Sequence, residues 1–170
     1  DCQDPDIWAL SHDRDDPMLP LHEVVEVFID TGAMARAYVE VELSPANVVY
    51  DLFVLHHAPN SDWPPRPHRG NFTALPGWDS RGLRSAVWLA GPLAPGDVDR
   101  GWTAEIAIPF ADLPVLRYRP PRDGQRWRVN FYRVERPGHP SAAAPGLGSG
   151  LGASWGSQVA EPFLTCWSPP

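Results

Sequence analysis

Tryptophan is the residue type in this chain that most clearly offers a chemistry of its own. Eight tryptophans occur in 170 residues, and an indole face can pack against the C–H side of a pyranose ring while nearby polar groups meet the sugar hydroxyls. Trp8, Trp78 and Trp167 lie in predicted loops or at strand ends, where a ring can face solvent. The sequence therefore predicts ligand binding by these rings, with Trp78 and Trp167 as the preferred pair.

Three polar residues of predicted strands complete the candidate ligand-binding set: Glu26, Asn130 and Arg133. If the strands that hold them are neighbours, Glu26 and Arg133 can form an ion pair. Such a pair can be purely structural, or it can fix both side chains for binding to hydroxyl groups. The sequence leaves both interpretations open.

An acidic cluster precedes Pro17. Asp13, Asp15 and Asp16 offer hard oxygen ligands at close spacing, which is what Ca²⁺ prefers. The segment lacks the glycine and the distal glutamate of an EF-hand loop. It is therefore interpreted either as a structural calcium site or as a solvated turn.

No pattern in the chain indicates catalysis. There is no nucleophile elbow, no His-Glu-x-x-His helix and no phosphate-binding glycine loop. His56 and His57 are adjacent in sequence, and adjacent strand residues point to opposite faces, which makes joint metal ligation awkward. We predict a protein that is not an enzyme.

Composition limits the classes of partner. The formal net charge is −7, which argues against nucleic acid as a ligand. No apolar run approaches the roughly 20 residues of a membrane span, so membrane insertion is not expected. Cys2 and Cys166 can close one large loop as a disulfide or remain as two free thiols.

The elements that must position these residues are short strands. With 21 prolines and 14 glycines, long helices are disfavoured, whereas alternating apolar and polar residues recur between turns. This predicts one all-β domain over 1–170, a two-layer antiparallel β-sandwich with jelly-roll character and long Pro/Gly-rich loops. Trp102 and Trp127 are expected in its core. The predicted strands are residues 23–30, 35–43, 48–55, 83–90, 102–108, 126–135 and 162–167, with an exposed loop at 56–77, a helical turn near 110–113 and a flexible insertion at 136–158.

Five ordered landmarks give the chain a family resemblance. They are Asp4–Ala9, Val24–Asp30, Gly101–Phe110, Asp123–Glu135 and Cys166–Pro169, and in this order they resemble the family 9 carbohydrate-binding modules. The resemblance implies a secreted jelly-roll-like sandwich, often with structural Ca²⁺, that acts beside glycoside hydrolases on xylan or cellulose. It also implies that strands before Asp4 and a closing segment after Pro169 are missing.

Only part of the sugar clamp of that family carries over. Glu26 matches the glutamate position of the family, but the first sandwiching tryptophan falls near Pro20 or Leu21 and the arginine falls at Glu42. The second tryptophan would lie beyond Pro170. The resemblance therefore predicts non-catalytic carbohydrate binding by a divergent branch, outside the cell or in the periplasm or envelope and next to a linked catalytic domain. The alternative is a structural β-sandwich domain of a larger secreted or envelope protein that binds no sugar.

Overall fold

The computed structural model describes residues 1–9, 12–56, 72–94, 96 and 98–136, together with the backbone of 163–166. Eight strands and one short 3-10 helix, Leu19–Leu21, make up its regular structure. No helix in these ranges is long enough or apolar enough to cross a bilayer. The strands are β1 Val24–Asp30, β2 Ala37–Leu43, β3 Val49–His56, β4 Phe72–Leu75, β5 Arg84–Leu89, β6 Trp102–Ala107, β7 Arg128–Glu135 and β8 Phe163–Cys166.

The strands form two antiparallel sheets, which confirms the predicted all-β sandwich. One sheet has six strands in the order β4-β3-β2-β1-β7-β8, and the other consists of β5 and β6. The first hairpin, β1–β2, forms because both strands alternate in the same phase, so that Val27 lies opposite Val41 and Ile29 opposite Val39. One apolar face then results, and it must be covered.

The main core lies between the two sheets. Val39, Val41 and Leu43 of β2 are fully buried, and Val87 of β5 and Ile106 of β6 pack against them. The prediction that Trp102 and Trp127 belong to the core is confirmed, because Trp102 is 1% exposed and Trp127 packs on this cluster. The face of the six-stranded sheet that points away from the two-stranded sheet is called the outer face below.

A smaller apolar cluster covers one end of the outer face. Leu19, from the 3-10 helix, packs against Val24, Val48 and Val134, which come from β1, the β2–β3 turn and β7. Val24 and Val134 lie two residues from Glu26 and Tyr132 on the same strands and therefore share their face of the sheet. The 3-10 helix therefore lies at the edge of the surface on which Glu26 stands.

The N-terminal segment closes the sandwich beside β6. Cys2 forms an isolated antiparallel bridge with Trp102, and a Cβ atom at Gly101 would stand 2.0 Å from the carbonyl oxygen of Cys2. Glycine is therefore required at position 101 by the close approach of the two chains. Cys2 is a free cysteine, and burial raises the pKa of its thiol. Cys2 is therefore not paired in a disulfide, which agrees with the free-thiol alternative, and the side chain of Cys166 lies outside the described residues.

The seven predicted strands are all present, with bounds that differ by one or two residues. The prediction of one uninterrupted loop over 56–77 is wrong, because Phe72–Leu75 forms β4 at the edge of the large sheet. The turn near 110–113 is present, with the amide of Asp112 donating to the carbonyl of Pro109 at 3.0 Å. Except for Arg136, the predicted insertion over 136–158 lies outside the described residues.

Candidate functional site

A row of aromatic rings crosses five strands of the outer face, and we call it the aromatic row. Ring centroids are 5.1 Å apart between Tyr132 and Phe28 and 5.6 Å apart between Phe28 and Tyr38. The row continues through His56, 5.7 Å from Tyr38, to Phe72, 6.2 Å from His56. None of the five rings is fully buried, so the row is a platform that a flat apolar ligand face can contact.

Three glutamates stand beside the aromatic row and form what we call the glutamate cluster. Glu26 of β1 lies directly opposite Glu42 of β2, and Phe28 lies opposite Glu40. Since side chains two residues apart share a face, Glu26, Glu40 and Glu42 belong to one patch of the outer face. Glu42 is 3% exposed, and its Oε2 atom has no hydrogen-bond partner among the described residues.

Burial raises the pKa of every member of the glutamate cluster. The pKa of Glu42 rises to about 9, because burial is reinforced by repulsion from Glu26 and Glu40. The pKa of Glu40 rises to about 7 for the same two reasons, burial and the charge of Glu26. Burial also raises the pKa of Glu26 to about 7, against the opposing effect of the Arg136 guanidinium. The patch therefore holds protons that exposed carboxyl groups would release.

Hydrogen-bonding groups border the same patch. The Asn130 amide nitrogen donates to the Tyr132 hydroxyl at 2.7 Å, and Asn130 lies opposite Phe28 in the β1–β7 ladder. Arg136 is buried and donates to the carbonyl of Pro20 at 3.3 Å. The outer face thus combines rings with carboxylate, amide and guanidinium groups.

The structure brings two of the three predicted polar residues together and separates the third. Glu26 and Asn130 share the outer face, but Arg133 lies opposite Val25 and therefore points to the inner face. The prediction of an ion pair between Glu26 and Arg133 is therefore wrong, although β1 and β7 are neighbouring strands as expected. Arg133 instead pairs with Asp4, with 3.0 Å between Nη2 and Oδ2, and with Glu135.

The predicted tryptophans do not gather on one surface. Trp8 was expected to face solvent, which is wrong: it is 1% exposed, and its indole nitrogen donates to the carbonyl of Arg136 at 3.2 Å. Trp78 is half-buried and packs on the main core, with its ring 6.3 Å from Phe53. Trp167 lies outside the described residues.

Sequence reasoning missed the rings that the structure does expose. Phe28 and Tyr38 occupy the polar phase of β1 and β2, where an aromatic residue is a signal for a functional face. Trp88, at an outward position of β5, is 63% exposed and stands apart from the outer face. Trp88 is therefore a second exposed aromatic surface, separate from the aromatic row, against which the ligand site has to be tested.

The predicted calcium ligands also separate. Of Asp13, Asp15 and Asp16, only Asp15 belongs to a group of three carboxylates whose oxygen atoms lie close together. The other two members of this group are Asp51 and Asp79. Arg14 reaches all three of these carboxylates, with 2.5 Å between Nη2 and Asp51 Oδ1. An internal guanidinium therefore supplies the positive charge there, and the contacts fit an ion-pair network better than a calcium site.

A groove of about 930 Å³ opens between the sheets beside β1, β6 and β7. Its floor is apolar, with Val27 and Ile106 on opposite sheets, and Phe131 at its wall is 43% exposed. Arg133 and Gln3 supply polar groups at one end. Asp1, Glu26 and Tyr132 are also among the lining residues, so the groove borders polar as well as apolar groups.

Comparisons with known proteins identify a relative but no family. No family model matches the chain, and no solved structure gives a significant match. A curated protein of Arthroderma benhamiae named "Extracellular protein" is 36% identical over 115 residues. The match covers 66% of this chain and 46% of that protein, so the chain spans less than half the length of this relative. The resemblance to family 9 carbohydrate-binding modules stays a prediction.

Proposed function

We propose that this chain is a non-catalytic carbohydrate-binding module and that its ligand lies along the aromatic row of the outer face. The observation that carries the proposal is the continuity of the row from Tyr132 to Phe72, with Glu26 and Asn130 beside it. Rings contact the apolar faces of successive sugar units, and carboxylate and amide groups bind their hydroxyls. A row across five strands suits a chain of sugars better than a single unit.

The cellular setting belongs to the same proposal. The name of the relative supports an extracellular location, where polysaccharide is met. In the family that the chain resembles, such modules act beside glycoside hydrolases, and we propose that role here, with xylan or cellulose as ligands to examine first. The proposal also includes a structural calcium ion, which is supported by the family resemblance alone.

Replacing Tyr38 by alanine is expected to weaken glycan binding by up to about tenfold, because one ring of the row contributes roughly 0.5–1.5 kcal/mol. Native affinity gels that contain xylan or hydroxyethylcellulose measure the effect as a loss of retardation. The matched control is Trp88→Ala, which removes an exposed ring from β5 and is expected to leave migration unchanged. Gels run with calcium and with a chelator test the ion at the same time.

Two outcomes would contradict the assignment. Loss of retardation in Trp88→Ala but not in Tyr38→Ala would move the site to the two-stranded sheet. Release of reducing sugar by the purified chain would show an enzyme, and we expect none.

The second candidate is a structural sandwich domain without a glycan ligand. The groove between the sheets favours it, because Val129 and Phe131 are 47% and 43% exposed and form an apolar surface that another polypeptide segment would cover. Equal migration of the parent and both variants on every glycan supports this candidate over the first.

A further inference from the structure

We propose that the carbohydrate bound by this chain is acidic and that exposed arginines between β6 and β7 bind its carboxylate groups. The class of ligand is polysaccharide that contains uronic acid units. This inference rests on the proposed carbohydrate-binding function and names the chemical class of its ligand. It is carried by Arg117 and Arg122, whose guanidinium groups both lie over the ring of Tyr118.

Positive charge is concentrated in residues 114–128, which we call the arginine segment. The whole chain is acidic, with a formal net charge of −7, yet five of its 14 basic residues lie in this segment beside a single acidic residue, Asp123. All five of these side chains are exposed: Arg117, Arg119, Arg122, Arg126 and Arg128. The segment is therefore a positive patch on an acidic protein, and such a patch attracts anionic ligands.

The five arginines form no ion pair with any residue in the described part of the chain. Arg14 and Arg133, by contrast, form ion pairs with buried aspartates. Asp112, which lies just before the segment, accepts instead from the Ser80 hydroxyl and the Gly82 amide. Neighbouring guanidinium groups without an anion repel one another, so an anionic ligand would relieve this repulsion.

Arg117 and Arg122 are held by the same aromatic ring. The Cζ atom of Arg122 lies 4.2 Å from the centroid of the Tyr118 ring, and that of Arg117 lies 5.2 Å from it. A cation–π contact restrains a guanidinium group and leaves N–H donors available, and neither group donates a hydrogen bond to another described residue. These donors form a planar fork that matches a carboxylate. Two such forks on one ring can therefore bind carboxylates of one acidic glycan.

The arginine segment is anchored to the sandwich near both of its ends. The Thr31 hydroxyl donates to the carbonyl of Pro114 at 3.2 Å, and Leu116 is buried in the main core. At the other end, Trp127 packs against the same core. A binding surface that is ordered in advance loses less conformational entropy when its ligand binds.

The arginine segment meets the outer face at the start of β7. Arg128 lies opposite Asp30 in the β1–β7 ladder. It is two residues from Asn130 and four from Tyr132 on the same strand, so the three side chains share the outer face. A glycan along the aromatic row can therefore extend from Tyr132 towards the arginine segment.

The glutamate cluster on the same face does not oppose an acidic ligand in weakly acidic solution. Burial raises the pKa values of Glu26 and Glu40 to about 7 and that of Glu42 to about 9. Below these values the three carboxyl groups are mainly protonated and uncharged. A protonated carboxyl group can also donate a hydrogen bond to a sugar oxygen.

Titration calorimetry with three hexasaccharides tests the inference: galacturonic acid hexamer, its methyl ester and cellohexaose, at low salt and about pH 6, where a uronic acid is ionised. The methyl ester keeps the sugar rings and removes the charge, so it is the matched ligand control. We expect the acidic hexamer to bind at least about tenfold more tightly than either neutral hexamer.

Three variants assign this preference to particular arginines. Arg117→Gln and Arg122→Gln are each expected to reduce the preference at least about threefold, because each removes one carboxylate-binding fork. Arg100→Gln makes the same change in net charge at an exposed position before β6, at the opposite end of that strand from the arginine segment. It should leave the preference intact. Melting curves of each variant exclude unfolding as the cause of a loss.

The possible outcomes separate this inference from the function on which it rests. Equal or tighter binding of cellohexaose or of the methyl ester would overturn the inference and leave carbohydrate binding in place. Failure of all three hexamers to bind would overturn both. If hexaglutamate binds as tightly as the acidic hexamer, with the same losses in the variants, the ligand is an acidic peptide and the sugar assignment is overturned. An equal loss in Arg100→Gln would assign the preference to bulk charge and overturn the role of the arginine segment.

Discussion

Replacing Arg133 by glutamine is expected to lower the free energy of unfolding by about 3–5 kcal/mol at pH 7, the range for breaking a buried ion pair by removing one partner. Arg133 forms ion pairs with Asp4 and Glu135 through Nη2, and its Nη1 atom donates to the carbonyl of Gln3 at 2.6 Å. The Asp4 side chain is fully buried, so the variant leaves its charge without a countercharge. Urea unfolding followed by tryptophan fluorescence measures the loss.

The matched control for Arg133→Gln is Arg128→Gln on the same strand. Arg128 is exposed, so the same change in charge is expected to alter the free energy of unfolding by less than about 0.5 kcal/mol. Similar losses in the two variants would show that the buried network around Asp4 does not stabilise the sandwich.

Stability is expected to fall as the pH rises from about 5 to about 9. The pKa values of Glu23 and Glu42 are raised to about 9, and those of Glu26 and Glu40 to about 7, in each case chiefly by burial. In this interval the folded chain keeps protons that the unfolded chain has released, so the free energy of unfolding decreases with pH. Burial lowers the pKa of the His22 imidazole, so at lower pH the unfolded chain binds a proton that the folded chain does not. The contribution of His22 to the free energy of unfolding therefore increases as the pH rises.

Glu42→Gln isolates one contribution to this pH dependence. An amide at position 42 cannot ionise, and it removes the charge that repels Glu26 and Glu40. We expect the melting temperature of the variant to exceed that of the parent at pH 8, by about 2–4 °C for each kcal/mol of unfolding free energy gained. Near pH 5 the two melting temperatures are expected to be equal. Melting curves from pH 5 to pH 8.5 measure the difference, with Glu105→Gln as the exposed control. A variant that melts below the parent at pH 8 would contradict the raised pKa of Glu42.

The strands could be predicted from the sequence because alternation is a local property. Val25, Val27 and Ile29 identify β1 and its buried face without knowledge of its neighbours. β4 was hidden because Phe72–Leu75 is only four residues long and follows a proline-rich segment. As an edge strand it needs little burial, so its pattern is weak.

The site depends on non-local geometry and was only partly predicted. Glu26 and Asn130 were identified, but whether Arg133 joins them depends on the β1–β7 register, which joins residues more than a hundred positions apart. Trp8 was taken for an exposed ring because its segment is irregular, whereas the structure buries it against the Arg136 carbonyl. Phe28 and Tyr38 occupy the polar phase of β1 and β2, but the sequence alone does not show that they meet in one row, because the row depends on the pairing of five strands.

The most direct test of the outer face as the ligand surface is chemical-shift mapping on isotopically labelled protein, titrated separately with xylohexaose and with cellohexaose. The largest shifts are expected at the Asn130 side-chain amide and at the backbone amides of Phe28, Tyr38 and Glu40. Shifts confined to Trp88 and Glu105 on the two-stranded sheet, or to Val129 and Phe131 in the groove, would contradict the assignment of the site to the outer face.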